Sequence, residues 1–152
     1  VERVVEVYLL TCKPLSEHFT EQKQAAPLLD LCTVALIPED RHLLHRQIEK
    51  RFLNMLEHGF LDEMHALRHD YPQLHADMPS MRCVGYRQAW DYLEGETDYD
   101  TFVEKGIVAT RQLAKRQLTW LRKIPLAHTL DPYADSDYVQ TALALARQHF
   151  QE

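Results

Sequence analysis

Residues 103–123, VEKGIVATRQLAKRQLTWLRK, decide how this chain is read. Placed on a helical wheel at about 100° per residue, they divide into two faces. Phe102, just before the stretch, joins Val103, Ile107, Leu113, Ala114, Leu118, Trp120 and Leu121 on one side. Lys105, Arg111, Lys115, Arg116, Arg122 and Lys123 fall on the other, and read as an acid-free face. The apolar face needs a core, so Leu118, Trp120 and Leu121 are expected to point inward. The basic face has two readings. It is either a solvated surface or the seat of an anionic partner, most simply RNA phosphate. Ordinary surface helices mix signs and gain from Glu–Lys pairs four residues apart. Because the whole chain carries a formal −6, a cationic helix here is a local feature.

The surroundings bound the answer. A chain of 152 residues is the size of one domain and can bury a core. With 45% hydrophobic and 26% charged residues, the composition is that of a soluble globular protein. No apolar run approaches the roughly 18 residues of a membrane span, and the opening residues do not read as a signal peptide. Cys12, Cys32 and Cys83 lack CxxC spacing and read as reduced thiols in a cytoplasmic protein. There are four glycines, at 59, 85, 95 and 106, and no GxxxxGK[ST]. The chain starts VERVVEVYLL without an initiator methionine, already in a helical pattern, so a fragment is expected.

Working outward, the pattern is mostly α-helical with one or two strands. Arg3 to Leu10 reads as the end of a helix, with Val4, Val5, Val7, Tyr8 and Leu9 too apolar to face water on all sides. Pro14 to Pro27 is polar and aperiodic, a loop. Leu28 to Ile37 is bounded by prolines and reads as a buried strand of a sheet covered on both faces. Asp40 caps a helix from Arg41 to about His58, striped by Leu44, Ile48, Phe52 and Met55. Arg51 lies inside that stripe, about 20° from Leu44. A cation aimed at a core requires a buried carboxylate or a snorkelling stem, or else a ligand such as pyrophosphate that suits a planar five-donor fork.

Gly59 suits a C-cap, after which Phe60 to Arg68 resumes the helix. The pairs His42/His45 and His65/His69 have metal-compatible spacing, but nothing completes a coordination set, so they read as surface. Ser80 is expected to cap a helix through Leu93 with Arg82, Tyr86 and Ala89 on one face beside Gly85. That face suits either helix packing or the approach of a base. Trp90 and Leu93 are read as core. Asp98 or Asp100 starts the basic helix and Pro125 stops it. Leu126 to Leu130 is a candidate edge strand. Val139, Leu143, Ala146 and Phe150 stripe a last helix expected to close the sheet.

MRCVGYRQAWDYLEGE and TRQLAKRQLTWLRK, with RVVEVYLLTCKPLSE and IEKRFLNMLEHGFLDEM, resemble the C-terminal part of the tRNA dimethylallyltransferases from Arg3 to about Lys123. The resemblance implies an α/β, P-loop NTPase-like nucleotide-binding fold whose phosphate-cradling half is missing here. Residues 1–27 would be the end of a helical insertion segment and a loop, and 28–152 the C-terminal part of the core domain with its tRNA-binding helices. It also implies transfer of a dimethylallyl group from its pyrophosphate to the exocyclic amine of the adenosine 3′ of the anticodon. Partners would be the tRNA anticodon stem-loop and dimethylallyl pyrophosphate, with Mg2+ held by ligands outside this chain.

By the same resemblance Arg51 would contact the pyrophosphate. Arg82, Cys83, Val84, Gly85, Tyr86 and Arg87 would contact tRNA, as would Lys115, Arg116, Gln117, Thr119 and Arg122. Arg3 matches an arginine of another tRNA-contacting segment, and Arg111 joins the set from the basic face. No catalytic residue is assigned to this chain, and the general base of the family, an aspartate, would lie upstream. Where the family has Thr-Gly-Lys, this chain has Thr11-Cys12-Lys13, so that turn either does not need a positive φ or is strained. A monomer is expected. Two other readings are a prenyltransferase acting on free adenine nucleotides and a non-catalytic RNA-binding helical domain.

Overall fold

The computed structural model describes residues 2–24, 30–124, 128–134 and 136–150, which form seven helices and two strands. They divide into two compact units, Val1–Cys32 and Thr33–Glu152.

The first unit is a helical hairpin of α1 (Glu2–Thr11) and α2 (Leu15–Gln24). The expected loop after Pro14 is thus a helix up to Gln24. The hairpin itself supplies what the aperiodic sequence concealed. Lys13 pairs with Glu21 at 2.7 Å, and the Thr11 hydroxyl lies 3.0 Å from the His18 ring. Cys12 turns the chain at φ +55°, so its turn is the strained one of the two alternatives. None of α1 is buried, and Val4, Val5, Tyr8 and Leu9 are exposed.

The second unit is built around α3 (Arg41–Glu57) and α6 (Tyr99–Leu121). Both start where a carboxylate satisfies the free N–H groups of a first turn. Asp40 accepts from the His42 amide and Asp98 from the Thr101 amide, each at 2.7 Å. Gly59, at φ +90°, separates α3 from α4 (Phe60–Asp70) in the left-handed conformation that a glycine adopts without a steric cost. Phe52, Phe60, Met64, Met81, Ala89, Phe102 and Ile107 form the core. Phe52 sits edge-on to Phe60 and Phe102, with ring centroids 6.3 and 5.9 Å away. Its ring lies against Gly106, where a Cβ would fall 2.2 Å from Phe52 Cζ. Lack of a side chain at 106 therefore sets how closely α3 and α6 approach.

Ser80 does not cap a helix. Residues 72–85 are turns and bends, and α5 spans only Tyr86–Leu93. Gly85 precedes it at φ +96°, with the Gln88 side chain accepting its amide at 2.8 Å. A helix cannot run through that φ, so Arg82 lies outside α5 rather than on a face with Tyr86 and Ala89. Trp90 and Leu93 pack against the core as expected.

β1 (Val34–Leu36) and β2 (His128–Leu130) pair in parallel, Val34 with His128, Ala35 with Thr129 and Leu36 with Leu130. At their carboxyl ends Asp131 accepts from the Glu39 and Tyr133 amides at 2.9 and 2.8 Å. These backbone donors hold its carboxyl below the usual range. The strand is shorter and more open than the Leu28–Ile37 reading. Leu28 and Leu29 lie outside the described residues, Leu31 and Leu36 are exposed, and Ala35 alone of β1 is buried. α6 ends at Leu121, whereas Pro125 and Leu126 lie outside the described residues. α7 (Tyr138–His149) closes the sheet only in part: a groove of about 330 Å³ remains between Val34, Leu36, Val139 and Leu143.

Candidate nucleic-acid interface

The two long helices bring cations together along one cleft. Arg41, in the first turn of α3, and His45 face Arg111, Lys115 and Arg122 of α6 across a cavity of about 430 Å³. Leu44, Val108, Ala114 and Leu118 give it an apolar floor, and among the described residues no carboxylate lines it. With Arg41 on one wall and Arg111 and Lys115 on the other, the cleft is suited to an anion. Among the described residues, Lys115, Arg116 and Arg122 have no carboxylate within ion-pair distance.

Not all of α6 follows the expected face. Glu104 lies on the same side as Arg111 and, with Glu49 and Asp100, lines a hollow shared with it. Among the described residues the acid-free surface starts only beyond Arg111, at Lys115. Arg111 donates to Glu49 at 2.8 Å and to the His45 carbonyl at 3.5 Å, which ties α6 to α3. Its Nε is buried without a hydrogen-bond partner. Gln117 and Thr119 are exposed beside the cations, with the Thr119 hydroxyl donating to the Lys115 carbonyl.

Trp120 does not point inward. It is 69% exposed, whereas Leu118 and Leu121 are half-buried. The reason is the length of α5. Tyr92 stacks on Phe102 with centroids 5.3 Å apart, so α5 covers the first turns of α6 and ends before Leu113 and Trp120.

The turn preceding α5 carries the other predicted segment. Arg82, Cys83 and Arg87 are exposed, Val84 is half-buried and Gly85 is buried. Arg87 pairs with Asp91 at 3.3 Å, and Arg82 reaches Asp77 at only 4.0 Å. Tyr86 stacks on Phe60 and its hydroxyl donates to Glu63. That carboxylate holds the phenol above its ordinary pKa. Tyr86 is therefore half engaged by the protein.

Arg51 is exposed, so the inward orientation read from the wheel is incorrect. Leu44, at the same edge of the stripe, is itself only half-buried, which places this edge of α3 at solvent. No carboxylate pairs with Arg51 among the described residues. Arg3 is exposed on α1, in the other unit. Arg41 was not singled out from the sequence, and His45 was read only as one of a surface histidine pair. A cap at Asp40 followed by Arg and, four residues later, His on one face was the available signal.

The IPP transferase family model matches residues 1–124. The chain is 55% identical to a tRNA dimethylallyltransferase of Neisseria meningitidis serogroup C, over 99% of this chain and 48% of that protein. It is 53% identical to one of Neisseria gonorrhoeae, over 100% of this chain and 49% of that protein. Among solved structures, a tRNA delta(2)-isopentenylpyrophosphate transferase of Staphylococcus epidermidis superposes with a TM-score of 0.73 at 27% identity, over 99% of this chain and 48% of that one. The chain spans about half the length of the relatives it matches.

Proposed function

This chain belongs to the IPP transferase family, and we propose that it is the C-terminal half of a tRNA prenyltransferase with a P-loop NTPase-like core. The reaction would move a dimethylallyl group from its pyrophosphate to N6 of the adenosine 3′ of the anticodon. The observation that carries the reading is the run of cations from Lys115 on α6 to Arg122 at its end, over a cleft, with no acid partner and no lining carboxylate among the described residues. A polyanion neutralises such a surface, and several phosphates are needed to span it.

The residues divide by task. Lys115, Arg116 and Arg122 hold RNA phosphates, with Gln117 and Thr119 as neutral donors between them. The exposed Arg82–Arg87 turn meets the loop from which the adenosine is drawn. Arg3 and Arg111 complete the set, Arg111 through those of its donors that Glu49 leaves free. Arg51, solvent-facing and without a carboxylate, binds the leaving pyrophosphate, where a guanidinium stabilises the developing charge. Asp40 and Asp98 serve as helix caps, Asp131 holds two backbone amides, and Glu49 and Glu94 are ion-paired; the general base is assigned upstream of this chain. Among the described residues no three His, Cys, Asp or Glu side chains converge, and the Mg2+ of the reaction is assigned to pyrophosphate and residues beyond this chain. By itself the chain should be inert.

The test is prenyl transfer by the full-length protein, with labelled dimethylallyl pyrophosphate and tRNA. Label should enter the adenosine 3′ of the anticodon, and this chain alone should transfer none. A folded full-length protein that binds tRNA but transfers no label would overturn the enzymatic reading.

A further inference from the structure

Among the described residues of α6, Trp120 is the most exposed aromatic side chain, at 69%. Leu113 and Ile124, seven residues before it and four after, are also exposed. What sets Trp120 apart is the charge around it. The Lys123 ammonium lies over the indole, 5.8 Å from its centroid. Beside the ring is a hollow of about 350 Å³ lined by Gln112, Lys115, Arg116 and Thr119, none of them acidic or apolar. A protein partner with an apolar patch would have to desolvate two cations to reach the indole. A nucleobase would not, since its own phosphates neutralise them while its π-face covers the ring.

We infer that Trp120 is a stacking platform for one unpaired base of the bound RNA, with Lys115 and Arg116 engaging the adjacent phosphates. Resting on the proposed tRNA reading, this goes beyond it by giving the α6 surface a contact to a base as well as to the backbone. Stacking tolerates any base, so the platform holds the loop open without reading its sequence.

The experiment uses the full-length protein and a tRNA anticodon stem-loop. Trp120→Ala should weaken binding by about 5- to 150-fold, the range found when a stacking aromatic is removed. Trp120→Phe should keep most of the affinity. Both should retain the parental dependence on log salt, since no phosphate contact is lost. RNA should quench indole emission in the parent, and Trp120→Phe should lose that share of the quench. Binding by Trp120→Ala within twofold of the parent would overturn the inference. So would equal losses in both variants with a lowered unfolding midpoint, which would mean that the indole packs against protein. Lys115→Ala separates the levels. If it weakens binding while Trp120→Ala does not, only the stacking inference fails; if neither does, the tRNA reading fails with it.

Discussion

The closest approach in the core supplies the sharpest stability prediction, Gly106→Ala. Two effects oppose each other. Replacing a helix-interior glycine by alanine favours the helix by about 0.5–1 kcal/mol. The new Cβ, however, would lie 2.2, 2.7 and 2.9 Å from three carbons of the Phe52 ring. The ring cannot turn aside, because Phe60 and Phe102 flank it edge-on. Forcing a methyl into such packing costs typically about 1–3 kcal/mol, and every contact here is at the severe end. The clash should win, leaving a net destabilisation of roughly 1–2 kcal/mol. Guanidinium unfolding of the protein should show a lower midpoint at unchanged slope. In a Phe52→Leu background the clashing carbons are gone, and the same substitution should be neutral or stabilising. Gly106→Ala more stable than its parent with Phe52 intact would refute the reasoning.

Other outcomes can be checked individually. Lys115→Ala should weaken binding of tRNA and reduce the slope of log affinity against log salt by about one, measured by titration at several salt concentrations. Arg51→Ala in the full-length enzyme should raise the KM for dimethylallyl pyrophosphate and leave tRNA affinity nearly intact; equal losses in both would make Arg51 structural. The Asp98 carboxyl is held below its ordinary 3.8, first by the Thr101 backbone N–H. A depressed folded pKa stabilises the protein above 3.8 and ceases to do so as pH falls through the lower folded value. The protein should therefore lose stability relative to Asp98→Asn only below about pH 4, with no change in the gap near neutrality, as followed by unfolding at several pH values.

The sequence was most legible where a local rule acts alone. Asp40, Gly59 and Asp98 set helix boundaries through backbone groups within a few residues, and the structure places α3, α4 and α6 accordingly. The motifs also pointed to the family that the comparisons show. Legibility failed where tertiary cover decides. A wheel assigns an inward face to the whole of α6, but α5 ends too early to cover Trp120. The same assumption turned Arg51 inward, although Arg51 is exposed and Leu44 at that edge is only half-buried. Ser80 looked like a cap because the pattern carries no sign of Gly85's φ of +96°. Pro14–Gln24 looked like a loop because its helix is supported by contacts with the turn before it, not by an apolar stripe.

The bond between Glu39 and Asp131 joins residues 92 apart. Three-residue strands can return little of the entropy lost in closing so long a loop, so α3 and α6 should dock before β1 meets β2. On a ribosome adding about 5–20 residues per second, β1 waits on the order of ten seconds for its partner strand to be made. During that interval the edge of β1 that β2 will cover, Leu36 included, is without its partner strand, an opening for mispairing that only the rest of the chain closes.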